Sequence, residues 1–260
     1  MKIIITWILF VGVIAVNALA NILPINGYNT GQISAFYPNA FVPAGFTFSI
    51  WGVIYLLLFS YTIGYTYYTL KQQQFPKAFA FIERINIYFL LTCVFNMAWI
   101  VAWHYLQIEL SVVIMLLFLI TLIQLFLKST TMANALTSTQ KFILQTPFIV
   151  YLGWISVATI ANITALLIAY QWNGFGIAPV YWSAAMILIA IILAVLMLKK
   201  FKAIAFALVV AWALWGIYNA QGPAAPILAR ITAGGIGLLM TASLFILVII
   251  GKAKWLKFVV

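Results

Sequence analysis

Ten tryptophans occur in the 260 residues of this sequence, and their positions give the first indication of chemistry. Trp7, Trp182 and Trp255 fit the aromatic belts that tryptophan forms at membrane interfaces. Trp154 lies near the middle of an apolar segment. The remaining six lie in the outer half of such segments, on the side opposite the basic residues, or at their outer edge: Trp51, Trp99, Trp103, Trp172, Trp212 and Trp215. A belt would populate both interfaces equally. The uneven distribution favours an aromatic-lined cavity, with a simple belt as the alternative.

Three asparagines fall at similar depths in these apolar segments. Asn17, Asn96 and Asn162 lie six, nine and seven residues from the ends of their segments. At ~1.5 Å per helical residue, this places them ~9–14 Å deep. Amides at such a depth need hydrogen-bond partners, either on neighbouring helices or on a ligand, and both alternatives stay open for each residue. Together they predict a polar layer beneath the tryptophans, which suits a flat apolar ligand with polar edges.

Few other reactive side chains are present. The sequence has no aspartate, two glutamates (Glu83 and Glu109), one histidine (His104) and one cysteine (Cys93). An aspartyl dyad is therefore impossible, and a metal site built on several histidines or cysteines is not available. Both glutamates are expected to be solvated at segment ends, His104 to be interfacial, and Cys93 to be a buried apolar side chain. We predict no catalytic residue, no metal and no covalently bound cofactor, and keep an enzyme only as an alternative.

Apolar segments make up most of the chain that must position these residues. The composition is 67% hydrophobic and 6% charged, and such a chain needs lipid as its solvent. Spanning segments must be helical, because lipid offers no partner for open backbone groups. The sequence predicts an all-α integral membrane protein, a polytopic bundle of about eight transmembrane helices. The predicted spans are 3–23, 46–69, 85–105, 110–128, 142–169, 178–198, 203–220 and 230–251. The first is expected to be retained rather than cleaved, and the fifth is long enough to be tilted.

The basic residues alternate with these spans. Twelve of the thirteen lie in one set of loops and at the termini, whereas the opposite set of loops holds only Arg230. Under the positive-inside rule, this distribution predicts an even number of spans with both termini cytoplasmic. The formal net charge of +11 is thus explained by topology, and we expect no nucleic-acid partner. The expected surroundings are the lipid bilayer of a bacterial inner membrane, and a homodimer stays open.

The longest uncharged loop, residues 24–43, is rich in turn formers and aromatic side chains. Its prolines and its Asn26-Gly27 pair predict a structured turn region rather than a flexible linker. We predict that this loop forms a lid over the outer end of the bundle, held there by its aromatic side chains: Tyr28, Phe36, Tyr37 and Phe41.

Several stretches resemble the TspO/MBR family of tryptophan-rich sensory or translocator proteins. Residues 43–55 resemble the proline-rich loop and tryptophan-bearing second helix of that family. Residues 95–99 resemble its third-helix asparagine segment. Pro147-Phe148, followed by residues 154–162, resembles its fifth-helix pattern of Pro-aromatic, Trp, Ala-Thr and Asn. The order of the stretches agrees with the order of the family's helices.

The resemblance implies a TspO-like region of five transmembrane helices over residues 1–170, with three additional helices over residues 171–260 packed on it. It also implies a small apolar ligand, such as a porphyrin or a sterol-like molecule, bound between the helices. The implied ligand-binding residues are Pro43 and Phe46 in the lid loop, and Trp51, Asn96, Trp99, Trp154, Ala158 and Asn162 in the helices. The expected function is that of a ligand-binding membrane sensor or carrier. A small-molecule transporter and a porphyrin-degrading enzyme are the alternatives.

Overall fold

The computed structural model describes residues 1–23, 25–221 and 224–259, with side chains described as far as residue 250. These residues form ten α-helices and no strand. The helices are α1 (Lys2–Ile22), α2 (Thr30–Ala35), α3 (Ile50–Leu70), α4 (Pro76–His104), α5 (Ile108–Met132), α6 (Ser138–Leu144), α7 (Thr146–Ala169), α8 (Pro179–Phe201), α9 (Ile204–Gln221) and α10 (Pro226–Val259). Eight of them, all except α2 and α6, are long and apolar enough to cross a membrane. The predicted all-α polytopic bundle of about eight spans is confirmed.

The fifth span is shorter than the sequence pattern indicated. Residues 142–169 were expected to form one long helix, either tilted or extending past the interface, but α6 ends at Leu144 and α7 begins at Thr146. Pro147 lies in the first turn of α7. Proline has no N–H and is tolerated there, whereas inside a helix continuing from α6 it would remove a hydrogen bond. The expectation of a single long span is therefore wrong, and the membrane span of this region is α7 alone.

Helix α4 begins earlier than the predicted span 85–105. Pro76 occupies its first turn, and the added turns carry Glu83. The Glu83 carboxylate forms an ion pair with the Lys2 ammonium at the start of α1. This glutamate is thus paired rather than only solvated. The ion pair joins the first residue of α1 to α4.

Two compact units divide the chain. The first contains residues 1–38 and 48–170, and the second contains residues 39–47 and the chain from Gln171 onward. Within the first unit, α4 packs against α1 and α5, and α7 packs against α3 and α5. Within the second unit, α9 packs against α8 and α10, and α8 also packs against α10. The side chains of Trp255, Lys252, Lys254 and Lys257, which entered the sequence argument, lie outside the described residues.

The first part of the predicted lid packs on the end of α4. The side-chain amide of Asn26 donates a hydrogen bond to the His104 carbonyl (3.1 Å), and the Trp103 indole N–H donates to the Thr30 carbonyl (3.3 Å). The Thr30 hydroxyl lies 3.1 Å from His104 Nε2. His104, the last residue of α4, is fully buried, and its ring contacts the loop.

Tyr37 continues this contact. Its ring centroid lies 6.1 Å from that of Trp103, and partial burial raises the pKa of Tyr37. The remaining part of the predicted lid, residues 39–43, belongs to the second unit. Pro24, the first residue of the predicted lid, lies outside the described residues. The loop is thus divided between two units, which its uniform composition did not indicate.

Candidate ligand-binding site

An aromatic cluster in the first unit brings together tryptophans from three helices. The ring centroid of Trp51 on α3 lies 6.4 Å from that of Trp99 on α4 and 6.1 Å from that of Trp154 on α7. The three side chains are buried, with 8%, 5% and 3% of their surface exposed. Trp51 also packs on Tyr55 (5.6 Å) and Tyr151 (6.0 Å). At these distances the rings contact one another.

Helical spacing explains why the two tyrosines belong to the cluster. Tyr55 follows Trp51 by four residues on α3, and Tyr151 precedes Trp154 by three residues on α7. Residues three or four apart share one face of a helix. Neither tyrosine was among the residues predicted from the sequence, although its spacing from the neighbouring tryptophan indicates a shared helix face.

Asn96 links α4 to two other helices. Its side-chain oxygen accepts a hydrogen bond from the Asn17 amide of α1 (2.7 Å), and its own amide donates to the Tyr151 hydroxyl (2.9 Å). Asn17 also donates to the Val13 carbonyl one turn earlier (2.9 Å). All of these side chains are buried. The sequence left two alternatives for Asn96, a partner on a neighbouring helix or a partner on a ligand. In the structure Asn96 bonds to neighbouring helices.

Asn162 makes a similar connection from α7. It accepts a hydrogen bond from the Trp99 indole N–H (2.9 Å) and donates one to the Ser111 hydroxyl of α5 (2.9 Å). Ser111 in turn donates to the Ile108 carbonyl (2.7 Å). Ser111 was not among the residues predicted from the sequence. The α5 residue that faces Asn162 is decided by the packing of α5 against α7, which the sequence does not specify. The three asparagines thus belong to two hydrogen-bonded groups, Asn17–Asn96–Tyr151 and Trp99–Asn162–Ser111, which join α1, α4, α5 and α7.

The indole N–H groups of Trp51 and Trp154 differ from that of Trp99. Both are buried and have no hydrogen-bond partner. An unpaired buried donor costs about 1–3 kcal/mol, and native structures pair nearly all such groups. The two rings meet edge to face, with planes 82° apart. Each N–H is therefore a position where an acceptor atom of a bound molecule would remove an existing cost.

Ala158 lies between Trp154 and Asn162 on α7. It is half-buried, four residues after Trp154 and four before Asn162, and so shares their helix face. Its methyl group is the smallest side chain of that row. A larger side chain at this position would project beside the aromatic cluster.

Phe46 and Pro43, the two predicted lid residues, belong to the second unit. The Phe46 ring packs on two tryptophans of α9, with centroids 5.7 Å from Trp212 and 4.9 Å from Trp215. Phe46 and Trp215 are both exposed over more than two-fifths of their surface. The sequence grouped Phe46 and Pro43 with the first five spans, but the Phe46 ring packs on α9.

Several hydrogen bonds fasten residues 39–47 to α9. The Ala44 N–H donates to the Gly216 carbonyl (3.0 Å), and the Trp212 indole N–H donates to the Thr47 carbonyl (2.9 Å). The Gln221 amide donates to the carbonyls of Asn39 and Val42. Gly216 allows this approach because a Cβ atom there would overlap the Thr47 side chain. These bonds hold residues 39–47 against α9.

The chemical groups that the aromatic cluster offers are indoles, phenols and carboxamides. Glu109, the second glutamate of the chain, is not among the groups named in this cluster. It lies at the start of α5 and accepts a hydrogen bond from the Tyr170 hydroxyl (2.8 Å), which raises the pKa of Tyr170. In the residues that were described, no group of three or more His, Cys, Asp or Glu side chains is placed to hold a metal. The cluster can donate hydrogen bonds and stack on a flat molecule.

The family model of TSPO-like proteins matches residues 3–248 of the chain. Because the match covers nearly the whole sequence, the chain belongs to the TSPO-like protein family. The match extends over α8, α9 and most of α10, beyond the 1–170 region in which the sequence resemblance was seen. No curated protein and no solved structure matches the chain significantly.

Proposed function

We propose that this TSPO-like membrane protein binds a flat apolar ligand, such as a porphyrin or a sterol-like molecule, in the aromatic cluster of its first unit. The observation that carries the proposal is the pair of unpaired, buried indole N–H groups of Trp51 and Trp154. They lie in a cluster whose other surfaces are aromatic rings, so the site combines a large apolar contact with a few directed donors. This combination is typical of small-molecule sites.

The hydrogen-bond donors around Trp51 also favour a ligand without a negative charge. The groups named around Trp51 are indoles, phenols and amides, and none of them carries a positive charge. A carboxylate taken into such a place would be a buried charge without a partner, which is costly. A neutral acceptor such as a ketone, ester or amide oxygen avoids this cost. Among porphyrins, we expect neutral esters to bind more tightly than free acids.

The proposed role is that of a sensor or carrier in a cell membrane, with both termini cytoplasmic. The support for this orientation is the distribution of the basic residues, twelve of thirteen on one side of the spans. The expected compartment is a bacterial inner membrane. In this orientation Trp51, Trp99 and Asn162 lie in the outer half of their spans, nearer the extracytoplasmic surface.

Transport is the second candidate function, and a buried polar group in the other half of the unit favours it. The Asn86 amide donates to the Thr6 hydroxyl (3.1 Å), and Asn86 accepts a hydrogen bond from the Tyr61 hydroxyl (3.3 Å). Asn86 precedes Asn96 by ten residues on α4, or ~15 Å along the helix axis. Uptake of ligand into sealed proteoliposomes distinguishes a transporter from a sensor that only binds.

The proposed function is tested by titrating the purified protein in nanodiscs with porphyrins, sterols and hydrophobic amines, and following tryptophan fluorescence. A bound flat ligand should quench fluorescence saturably. Ala158→Phe should weaken this binding by at least tenfold, because the added ring projects beside the cluster. Ala169→Phe, on an exposed position of the same helix, is the matched control and should bind like the wild type.

Two results would count against the proposal. One is the absence of saturable quenching with every ligand class. The other is equal binding by the wild type, Ala158→Phe and Ala169→Phe, since this would place the ligand away from α7. Absorbance of the porphyrin recorded in the same samples under light would reveal a degrading activity, the remaining alternative from the sequence.

A further inference from the structure

An apolar recess lies on the surface of the first unit, between α4 and α5. It has a volume of about 470 Å³. Val101 and Leu110 at its edges are exposed over 46% and 50% of their surface, so it is a groove open to the surroundings and does not form part of the aromatic cluster. Its apolar walls are Met97, Ala98, Val101 and Ala102 of α4, and Leu110 and Ile114 of α5.

Small side chains and a fixed turn create this groove. Ala98 and Ala102 are four residues apart and share one face of α4, which leaves room where two larger side chains would fill the space. The connection to α5 is tight. Leu106 adopts a positive φ of 57°, and the Gln107 N–H donates a hydrogen bond to the Ala102 carbonyl (2.9 Å). The groove is therefore set by the backbone and is present before anything binds.

The two polar side chains of the groove both lie at its end nearest the turn. Tyr105 and Gln107 line that end, just beyond the last residue of α4 and just before the first residue of α5. Neither side chain makes a hydrogen bond to another part of the chain that the structure describes. Below them the walls are entirely apolar. The groove thus has one polar end at the level where a membrane span ends and an apolar length that runs into the span.

We propose that this groove binds one acyl chain of a zwitterionic phospholipid, with the ester region at Tyr105 and Gln107. The exposed surface of a membrane span faces lipid, so the surroundings supply this occupant at high concentration. The volume holds about fifteen groups of the size of a water molecule, at ~30 Å³ each, and a methylene group is of similar size. Met97 lies seven residues before the end of α4, so the apolar length is ~10 Å.

The charge of the lining selects the head group. No Lys, Arg, His, Asp or Glu is among the residues that line the groove. A free fatty acid would bring its carboxylate to Tyr105 and Gln107 without a cation to pair with it. The ester carbonyl of a phospholipid is a neutral acceptor that a tyrosine hydroxyl or a glutamine amide can bind, and a head group without net charge adds no repulsion or attraction that the lining would have to meet.

The test uses the full chain in vesicles of phosphatidylethanolamine and phosphatidylglycerol that contain a small fraction of phosphatidylethanolamine with a photoreactive diazirine in one acyl chain. After illumination, peptide mass spectrometry locates the lipid adducts. We expect adducts on the α4 and α5 groove residues at several times the frequency found on the exposed face of α8, represented by Leu188, Ile192 and Leu196.

Two variants sharpen this measurement. Ala98→Trp fills the groove and should reduce its adducts to the level of the α8 face. Ala80→Trp places the same side chain on an exposed position of α4 outside the groove and should leave the adducts unchanged. Monodisperse elution and an unchanged helical circular dichroism spectrum show that both variants are folded. If Ala98→Trp does not fold, the distribution of adducts on the wild type still decides the question.

Three outcomes overturn the proposal. Adducts spread evenly over all exposed helix faces would show ordinary lipid contact without a site. Competition by palmitate at neutral pH would show that a free fatty acid, and not a phospholipid, is the occupant. Cross-links from groove residues to a second copy of the chain would show that a protein covers the groove. None of these outcomes bears on ligand binding in the aromatic cluster, so the two proposals fail independently.

Discussion

The rings of Trp51 and Trp154 meet edge to face with centroids 6.1 Å apart, and neither indole N–H has a hydrogen-bond partner. The neighbouring Trp99, by contrast, donates to Asn162. The three tryptophans of this cluster therefore differ in whether the indole N–H is hydrogen-bonded, and mutation can measure the effect of this difference on stability. The difference separates Trp99, whose indole N–H joins α4 to α7, from two tryptophans whose indole N–H groups are unpaired.

Replacing single tryptophans by phenylalanine should give unequal losses of stability. Trp99→Phe leaves the Asn162 side-chain oxygen without its donor and should lower the free energy of unfolding by about 1–3 kcal/mol more than Trp51→Phe or Trp154→Phe. The latter two changes remove a donor that was already unpaired. Thermal unfolding of the three variants in the same nanodiscs measures the difference. Equal melting temperatures for all three would contradict it.

Asn96→Leu should destabilise the first unit as well as weaken ligand binding. From the sequence alone, we expect a loss of about 1–2 kcal/mol in ligand binding if one hydrogen bond is removed. The structure adds that the Tyr151 hydroxyl and the Asn17 amide lose a buried partner, which should cost about 1–3 kcal/mol of stability. Asn219→Leu is the control, because the exposed Asn219 side chain donates to the Trp215 carbonyl of its own helix and to no other group in the part of the chain that the structure describes. Unchanged unfolding of Asn96→Leu would refute the interhelical role.

Gly216→Ala should detach residues 39–47 from α9. The added Cβ would overlap the Thr47 side chain, which is fully buried, so either the loop or the helix must move. Gly52→Ala is the matched control. No atom lies within 4 Å of a Cβ built at Gly52, and in a helix alanine is favoured over glycine by about 1 kcal/mol. We expect a lower melting temperature for Gly216→Ala and an equal or higher one for Gly52→Ala; the reverse order would contradict the described packing.

Cysteine labelling in intact cells should find Asn29 on the outer side and Lys200 on the inner side. Cys93 is buried and is the sole native cysteine, so single cysteines are placed in a Cys93→Ala background. A membrane-impermeant maleimide should label the Asn29→Cys protein before lysis and the Lys200→Cys protein only after the inner face is opened. The opposite pattern would reverse the orientation that the basic residues predict.

The number and type of membrane-spanning helices followed from the sequence because lipid leaves the backbone little choice. Each of the eight spans carries an apolar run of sufficient length. The break between α6 and α7 did not follow, since residues 142–144 are as apolar as the helix after them. Pro147 was visible in the sequence, but proline in the first turn of a new helix and proline inside a kinked one give the same local pattern.

The composition of the aromatic cluster was predictable only in part. Trp154, Ala158 and Asn162 follow one another at four-residue intervals, so their common face was clear. The bonds from Asn17 to Asn96 and from Trp99 to Asn162 depend on which helices are neighbours, and hydropathy does not specify this. For the same reason the sequence did not indicate that Phe46 packs on Trp212 and Trp215 of α9, more than 160 residues later.

The measurement that tests the central claim most directly compares the affinities of a flat polycyclic ketone and of its parent hydrocarbon, which differ by one acceptor oxygen. Wild-type protein should bind the ketone more tightly, by up to about tenfold for one hydrogen bond near 1.4 kcal/mol. The Trp51→Phe, Trp154→Phe double variant should lose this preference while still binding the hydrocarbon. Equal ketone preference in the wild type and the double variant, or none in either, would contradict the assignment of these two indoles to the ligand site.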